Sequence, residues 1–99
     1  MEKNFNIIIN EQQQQFQLRF EDELAFLEYR WLKKAMALMH TLVPEKLEGK
    51  GVASALAKHA LEYAKANNLK VVVYCPFVAA YLQRHPEYNS LVIKSGDLE

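Results

Sequence analysis

Glu48-Gly49-Lys50-Gly51-Val52-Ala53-Ser54 decides how the rest of this chain is read. Two glycines with one residue between them precede an amphipathic run that ends near Asn67-Asn68, and an apolar run starts at Leu69. Glycine has no Cβ, so the backbone can turn tightly there and let a bulky anion come close. The first amides of a helix have no intrahelical partner and lie at the positive end of its dipole. A turn of this kind at a helix start is a ready place for phosphate. A dinucleotide loop would ask for a third glycine, where Ser54 stands, and for an acid roughly 20 residues on, where Lys70 and Val71 stand. A P-loop would follow Gly-Lys with Ser or Thr, and here Gly51 follows Lys50. The loop suits a pyrophosphate and matches neither common nucleotide fingerprint.

Reading outward, the helix is expected from about Lys50 to Ala66. Val52, Leu56, Ala60 and Tyr63 share one face, while Lys58 and Glu62 face solvent. Asn67-Asn68 can supply the left-handed residue that stops it. Leu69 to Tyr74 is rich in β-branched residues and reads as a central strand buried on both faces. Upstream, four short runs read as strands: Phe5–Ile9, Gln14–Phe20, Leu24–Leu32 and Met36–Val43. The second alternates Phe16, Leu18 and Phe20 against Gln15, Gln17 and Arg19. The third sets Leu24, Phe26 and Glu28 against Ala25, Leu27, Tyr29 and Trp31. Short turns at Asn10-Glu11, Glu21-Asp22 and Lys33-Lys34 make these an antiparallel meander. Pro44 ends the fourth strand.

A helix joins the fourth strand to the fifth, so the two are expected to run parallel through a right-handed crossover and to splay apart near their C-terminal ends. Pro76 opens a second helix, Phe77–Arg84, which His85-Pro86 stops. Leu91–Ile93 is expected as a last edge strand. The fold class is therefore α+β with a mixed sheet, in one domain over residues 1–99.

Composition narrows the function. The chain has 99 residues, about half of them apolar, with 12 basic and 12 acidic side chains that cancel. A balanced charge speaks against a broad nucleic-acid surface. No apolar run reaches the roughly 20 residues of a membrane helix. Met1-Glu2-Lys3-Asn4 has no signal-peptide pattern. A single cysteine allows no internal disulfide, so the cytoplasm is the expected location. No Cys/His spacing points to a metal.

A four-strand meander, a Gly-x-Gly helix start, a buried strand and a short helix resemble the order of the GNAT acetyltransferases. Glu48-Gly49-Lys50-Gly51-Val52-Ala53 is similar to their acetyl-CoA signature, Arg/Gln-x-x-Gly-x-Gly/Ala, with Glu48 departing from it at the first position. His40-Thr41, Val43-Pro44, the run from Cys75 to Tyr81 and Arg84-His85-Pro86-Glu87-Tyr88 resemble the small stand-alone members often called the YidJ or YjdJ type. The resemblance implies a minimal domain that uses acetyl-CoA as co-substrate and acetylates an amine of unknown identity. It implies no metal, nucleic-acid or membrane partner, and a monomer or weak homodimer. Val43, Glu48, Gly49, Lys50, Gly51, Val52, Ala53 and Ser54 would hold the coenzyme A, with Lys50 offsetting the charge of Glu48.

Three residues are candidates for catalysis. Cys75 ends the fifth strand just before a proline-initiated helix, where a thiolate is favoured. It is either an acetyl acceptor or a small buried hydrophobe. His40 can take a proton from Cys75 or from an incoming amine, or it is a structural histidine. Tyr81 falls where the resemblance places a proton donor to departing coenzyme A, and otherwise packs its helix on the sheet. All three are expected to surround the coenzyme sulfur. Glu28 is a weaker candidate base. His59 and His85 read as structural or surface residues. The competing functions are a coenzyme A-binding module without efficient turnover and a purely structural interaction domain.

Overall fold

The computed structural model describes residues 5–94. Its strands are β1 (Ile7–Asn10), β2 (Gln15–Phe20), β3 (Glu23–Leu32), β4 (Ala35–Leu42) and β5 (Lys70–Val73), and its α-helices are α1 (Val52–Ala66) and α2 (Pro76–Arg84). The strands form one sheet in the order β1-β2-β3-β4-β5. β1 to β4 pair antiparallel, as tight turns between alternating runs require. β4 and β5 pair parallel from Ala35↔Lys70 to Leu38↔Val73, because α1 returns the chain between them. The expected fold class and the neighbouring parallel pair are therefore both present.

Two expectations change. β5 stands last in the sheet order, not in its centre. Its apolar run reflects burial of Val71 and Val72 rather than strands on both sides. The expected edge strand at Leu91–Ile93 is reduced to one parallel bridge, Val71↔Val92, after a 3-10 helix over Pro86–Leu91. Proline at the start of that segment and the succession of 3-10 turns leave too little extended chain for a ladder.

The core lies between the sheet and the two helices. α1 buries Val52, Leu56, Ala57, Ala60, Leu61 and Ala64 against Phe16, Leu18, Leu27, Tyr29, Met36 and Leu38. Alanine at three of those helix positions lets α1 lie close to the sheet, while leucines fill the gaps. Phe16 sits in an aromatic group, with ring centroids 5.3 Å from Tyr29, 5.6 Å from Tyr63 and 5.7 Å from His59. Burial lowers the pKa of His59 below its usual 6.5. The unfolded chain then binds more protons than the folded one as pH falls through this range, so this stabilisation is complete above about 6.5 and is lost below it. Melting curves at pH 7 and pH 5 should therefore converge in His59→Gln compared with the parent. An unchanged gap between the two curves would show that His59 is not the group responsible.

The β3–β4 ladder contains an irregularity that positions the site. Tyr29 pairs with Leu38 and Glu28 pairs with His40, leaving Met39 without an opposite residue. This is a β-bulge, with two residues on one strand set against one on the other. Cross-strand partners share a face, so Thr41, paired with Leu27, faces the helices, and His40, paired with Glu28, faces away from them. Strict alternation from Leu38 would have put His40 on the helix side.

Candidate functional site: a fork between parallel strands

β5 stays paired with β4 only as far as Leu38↔Val73. The amides of Tyr74 and Cys75 both donate to the Leu38 carbonyl at 3.0 Å, and the chain then turns away into α2. β4 runs on to Leu42, so the two strands form a fork. In front of it lies a cavity of about 440 Å³ lined by Thr41, Val43, Leu47, Gly51, Ser54 and Phe77, with Glu48, Gly49, Val52 and Ala53 completing the wall. Pro44 ends β4, and a one-turn 3-10 helix over Glu45–Leu47 brings the chain round to the glycine turn.

Gly49 and Gly51 have φ of +77° and +80°. Side-chain-bearing residues are strained there, which is why both positions require glycine. Cβ atoms built at either position would meet nothing within 4 Å, so the turn faces open space. Gly51 is the N-cap of α1, and no side chain caps the helix or places an acid in its first turn. The first amides of α1 and its positive dipole end are therefore presented to the cavity.

Seven of the eight cofactor candidates line this cavity; the exception is Lys50. Its neighbours are Lys46 and the acidic Glu21, Asp22 and Glu23 of the β2–β3 turn, in a separate depression. Lys50 lies between two glycines of positive φ, on the side of the loop that faces this second depression. Lys50 is therefore set apart from the other seven candidates, although it adjoins Gly49 and Gly51 in the same turn.

The structure does not gather the three catalytic candidates. Cys75 is 2 % exposed and its Sγ lies 3.3 Å from Thr41 Oγ1, behind the cavity wall. His40 is on the opposite face of the sheet, with Nδ1 3.5 Å from Glu28 Oε1 and its ring edge-on to Phe26 at 5.7 Å. The bulge at Met39 is the reason for their separation. Tyr81 is buried on α2, stacked on His85 at 4.1 Å and tilted against Tyr88. Burial raises its pKa first, and Glu87 and Glu62 add to the effect. These acids lie on the second 3-10 helix and the third turn of α1. Nearby, the Tyr88 hydroxyl donates to Glu62, which ties the C-terminal segment to α1.

A family model of GCN5-related N-acetyl-transferases matches residues 15–91, from the start of β2 to the end of the second 3-10 helix. The chain belongs to this family. The fold agrees: a solution structure of a GCN5-like candidate N-acetyltransferase from Staphylococcus aureus superposes with a TM-score of 0.69 at 27% identity, covering 94% of this chain and 92% of that one. Protein NATD1 of Mus musculus is 33% identical over 78 residues, 76% of this chain and 71% of that protein. Protein NATD1 of Danio rerio is 31% identical over 89 residues, 85% and 81% of the two chains. The matched span includes Gly49 and Gly51, which line the cavity. Thr41, Leu47 and Phe77 also line it, and sequence reasoning assigned them no role. Pro44 and Pro76 mark the two chain reversals that bring Leu47 and Phe77 there, but Thr41 could be found only with the bulge in view. Among the described residues no group of His, Cys, Asp or Glu could hold a metal, and no helix is long and apolar enough to cross a membrane.

Proposed function

We propose that the chain transfers acetyl from acetyl-CoA to an amine in the cytoplasm. The cavity at the β4–β5 fork carries this reading, because it joins an uncapped helix start to an opening in the sheet. In it the pyrophosphate rests on the amides from Gly49 to Ser54, and the pantetheine arm runs past Val43 and Thr41 towards the fork. Beyond Leu38 the β5-facing backbone of β4 has no strand partner, so its amides are free to polarise the thioester carbonyl. The amine nitrogen attacks the carbonyl carbon, the C–S bond breaks, and the sulfur leaves with the bonding electron pair. The nitrogen loses a proton and the thiolate gains one. Family membership and the shared fold support acetyl transfer.

Cys75 lies behind the pocket wall in this reading, against Thr41, and takes no acetyl group. Incubation with acetyl-CoA alone is expected to leave the intact mass unchanged, and Cys75→Ala to keep transfer within about threefold. An acetyl-thioester on Cys75 that discharges to an amine would instead establish a relay. His40 enters only as a proton acceptor for an amine that arrives over the helix-free face, with Glu28 beside it.

Calorimetric titration with acetyl-CoA, followed by thiol release in the presence of spermidine or Nα-acetyl-lysine amide, tests the whole reading. Binding together with amine-dependent thiol release is expected. The separation of Cys75, His40 and Tyr81 favours a second reading, a coenzyme A-binding module, which binding without thiol release would support. Absence of binding would remove both readings. Glu48 lines the cavity as an acid near the phosphate position, so Glu48→Arg should tighten binding by about 0.3–1 kcal/mol. Equal or weaker binding would show that Glu48 does not face the phosphates.

A further inference from the structure

A second recess, of about 160 Å³, adjoins the first along α2. Ser54 and Phe77 line both, so the two are adjacent. The second runs past Ala80 and Tyr81 to Arg84 and His85. Phe77 is 44 % exposed at the junction, an apolar ring open in part to solvent. At the far end the charges are arranged selectively. Glu87 lies 3.5 Å from His85 Nδ1, and Glu62 accepts from Tyr88. Among the described residues no carboxylate pairs with Arg84. An unpaired guanidinium at the end of an apolar groove is suited to a phosphate, which it can grip with two parallel N–H bonds.

Resting on the coenzyme A reading, we propose that the Ser54–Arg84 groove takes the adenosine end of the cofactor and that Arg84 binds its 3′-phosphate. The distances allow it. From Phe77 to Arg84 is seven residues of helix, about 10 Å at 1.5 Å per residue, and the arginine side chain leans back towards the N-terminus of its helix. A pyrophosphate on the α1 amides leaves the ribose beside Ser54 and the adenine over Phe77, with the 3′-phosphate directed along α2. Arg84 then distinguishes coenzyme A from its 3′-dephospho form, a choice the glycine turn cannot make because both forms carry the same pyrophosphate.

The test compares acetyl-CoA with 3′-dephospho-acetyl-CoA by calorimetric titration. The parent should prefer acetyl-CoA by roughly tenfold, the size expected of one charge-assisted pair. Arg84→Gln should bind both forms alike, near the parent's affinity for the dephospho form, and Arg84→Lys should recover part of the preference. Raising the salt should shrink the parent's preference as the pair is screened. Arg84 also lies in the last turn of α2, where a cation complements the helix dipole. If that were its whole role, Arg84→Gln would lower the melting temperature and leave the ratio of affinities unchanged. A parent without preference, or an Arg84→Gln protein that keeps it, overturns the assignment while leaving the cofactor site intact. A parent that binds neither form overturns the cofactor site itself.

Discussion

A Gly51→Asp protein should bind acetyl-CoA about ten- to a hundredfold more weakly than the parent, a loss of about 1.4–2.8 kcal/mol. Gly51 is the N-cap of α1 with φ of +80°, beside the amides proposed to hold the pyrophosphate. An aspartate there places a negative charge at the positive helix end, where it competes with the ligand for the same field. Its backbone strain is the same with or without ligand, so strain lowers stability rather than affinity, by roughly 1–2 kcal/mol. Gly51→Asn separates the two effects. Asparagine has nearly the same shape and tolerates the left-handed conformation, but carries no charge. It should lose similar stability and bind at least fivefold better than Gly51→Asp. Parent-like binding by Gly51→Asp would show that the phosphates lie elsewhere. Equal weakening in both variants would assign the effect to bulk, and the charge argument would fail.

The largest loss of stability is expected from Phe16→Ala, about 3–5 kcal/mol in urea unfolding. Phe16 is fully buried and its ring meets Tyr29, Tyr63 and His59. No single neighbour can close the space it leaves, since the group is drawn from two strands and a helix. For a domain whose whole stability is on the order of 5–15 kcal/mol, the melting temperature should drop by on the order of 15 °C. Phe20 is the control. It shares the alternation of Phe16 and Leu18, yet it is 54 % exposed. Phe20→Ala should therefore cost no more than about 0.5 kcal/mol. A comparable loss in the two variants would mean that the core extends to the end of β2.

Phe16 and Phe20 also show what the sequence made legible. Alternation identified the inward face of β2 correctly, but it could not tell where the sheet runs past the helices that cover it. The glycine turn was legible because its requirement is local. Gly49 and Gly51 are needed for their own backbone angles, and the helix that follows has its own period. The order of the strands followed from the lengths of the connections. The failures concern relations between elements. Apolar β5 was read as central because burial and position in the sheet leave the same pattern in a sequence. His40 was read towards Cys75 because nothing in Met39-His40-Thr41 announces a bulge.

That bulge makes Met39 a spacer. A regular strand running from Leu38 straight into His40 would keep the same residues facing inward and outward as now, with Thr41 still on the helix side. Losing this one residue would leave the lining of the fork unchanged in identity and draw it back by one strand step, about 3.3 Å. Anywhere else in β4, a one-residue deletion would turn the rest of the strand inside out. The depth of the fork and the chemistry of its walls can therefore vary separately in this fold, the first by a change of length at position 39 and the second by substitution at Thr41 and Val43.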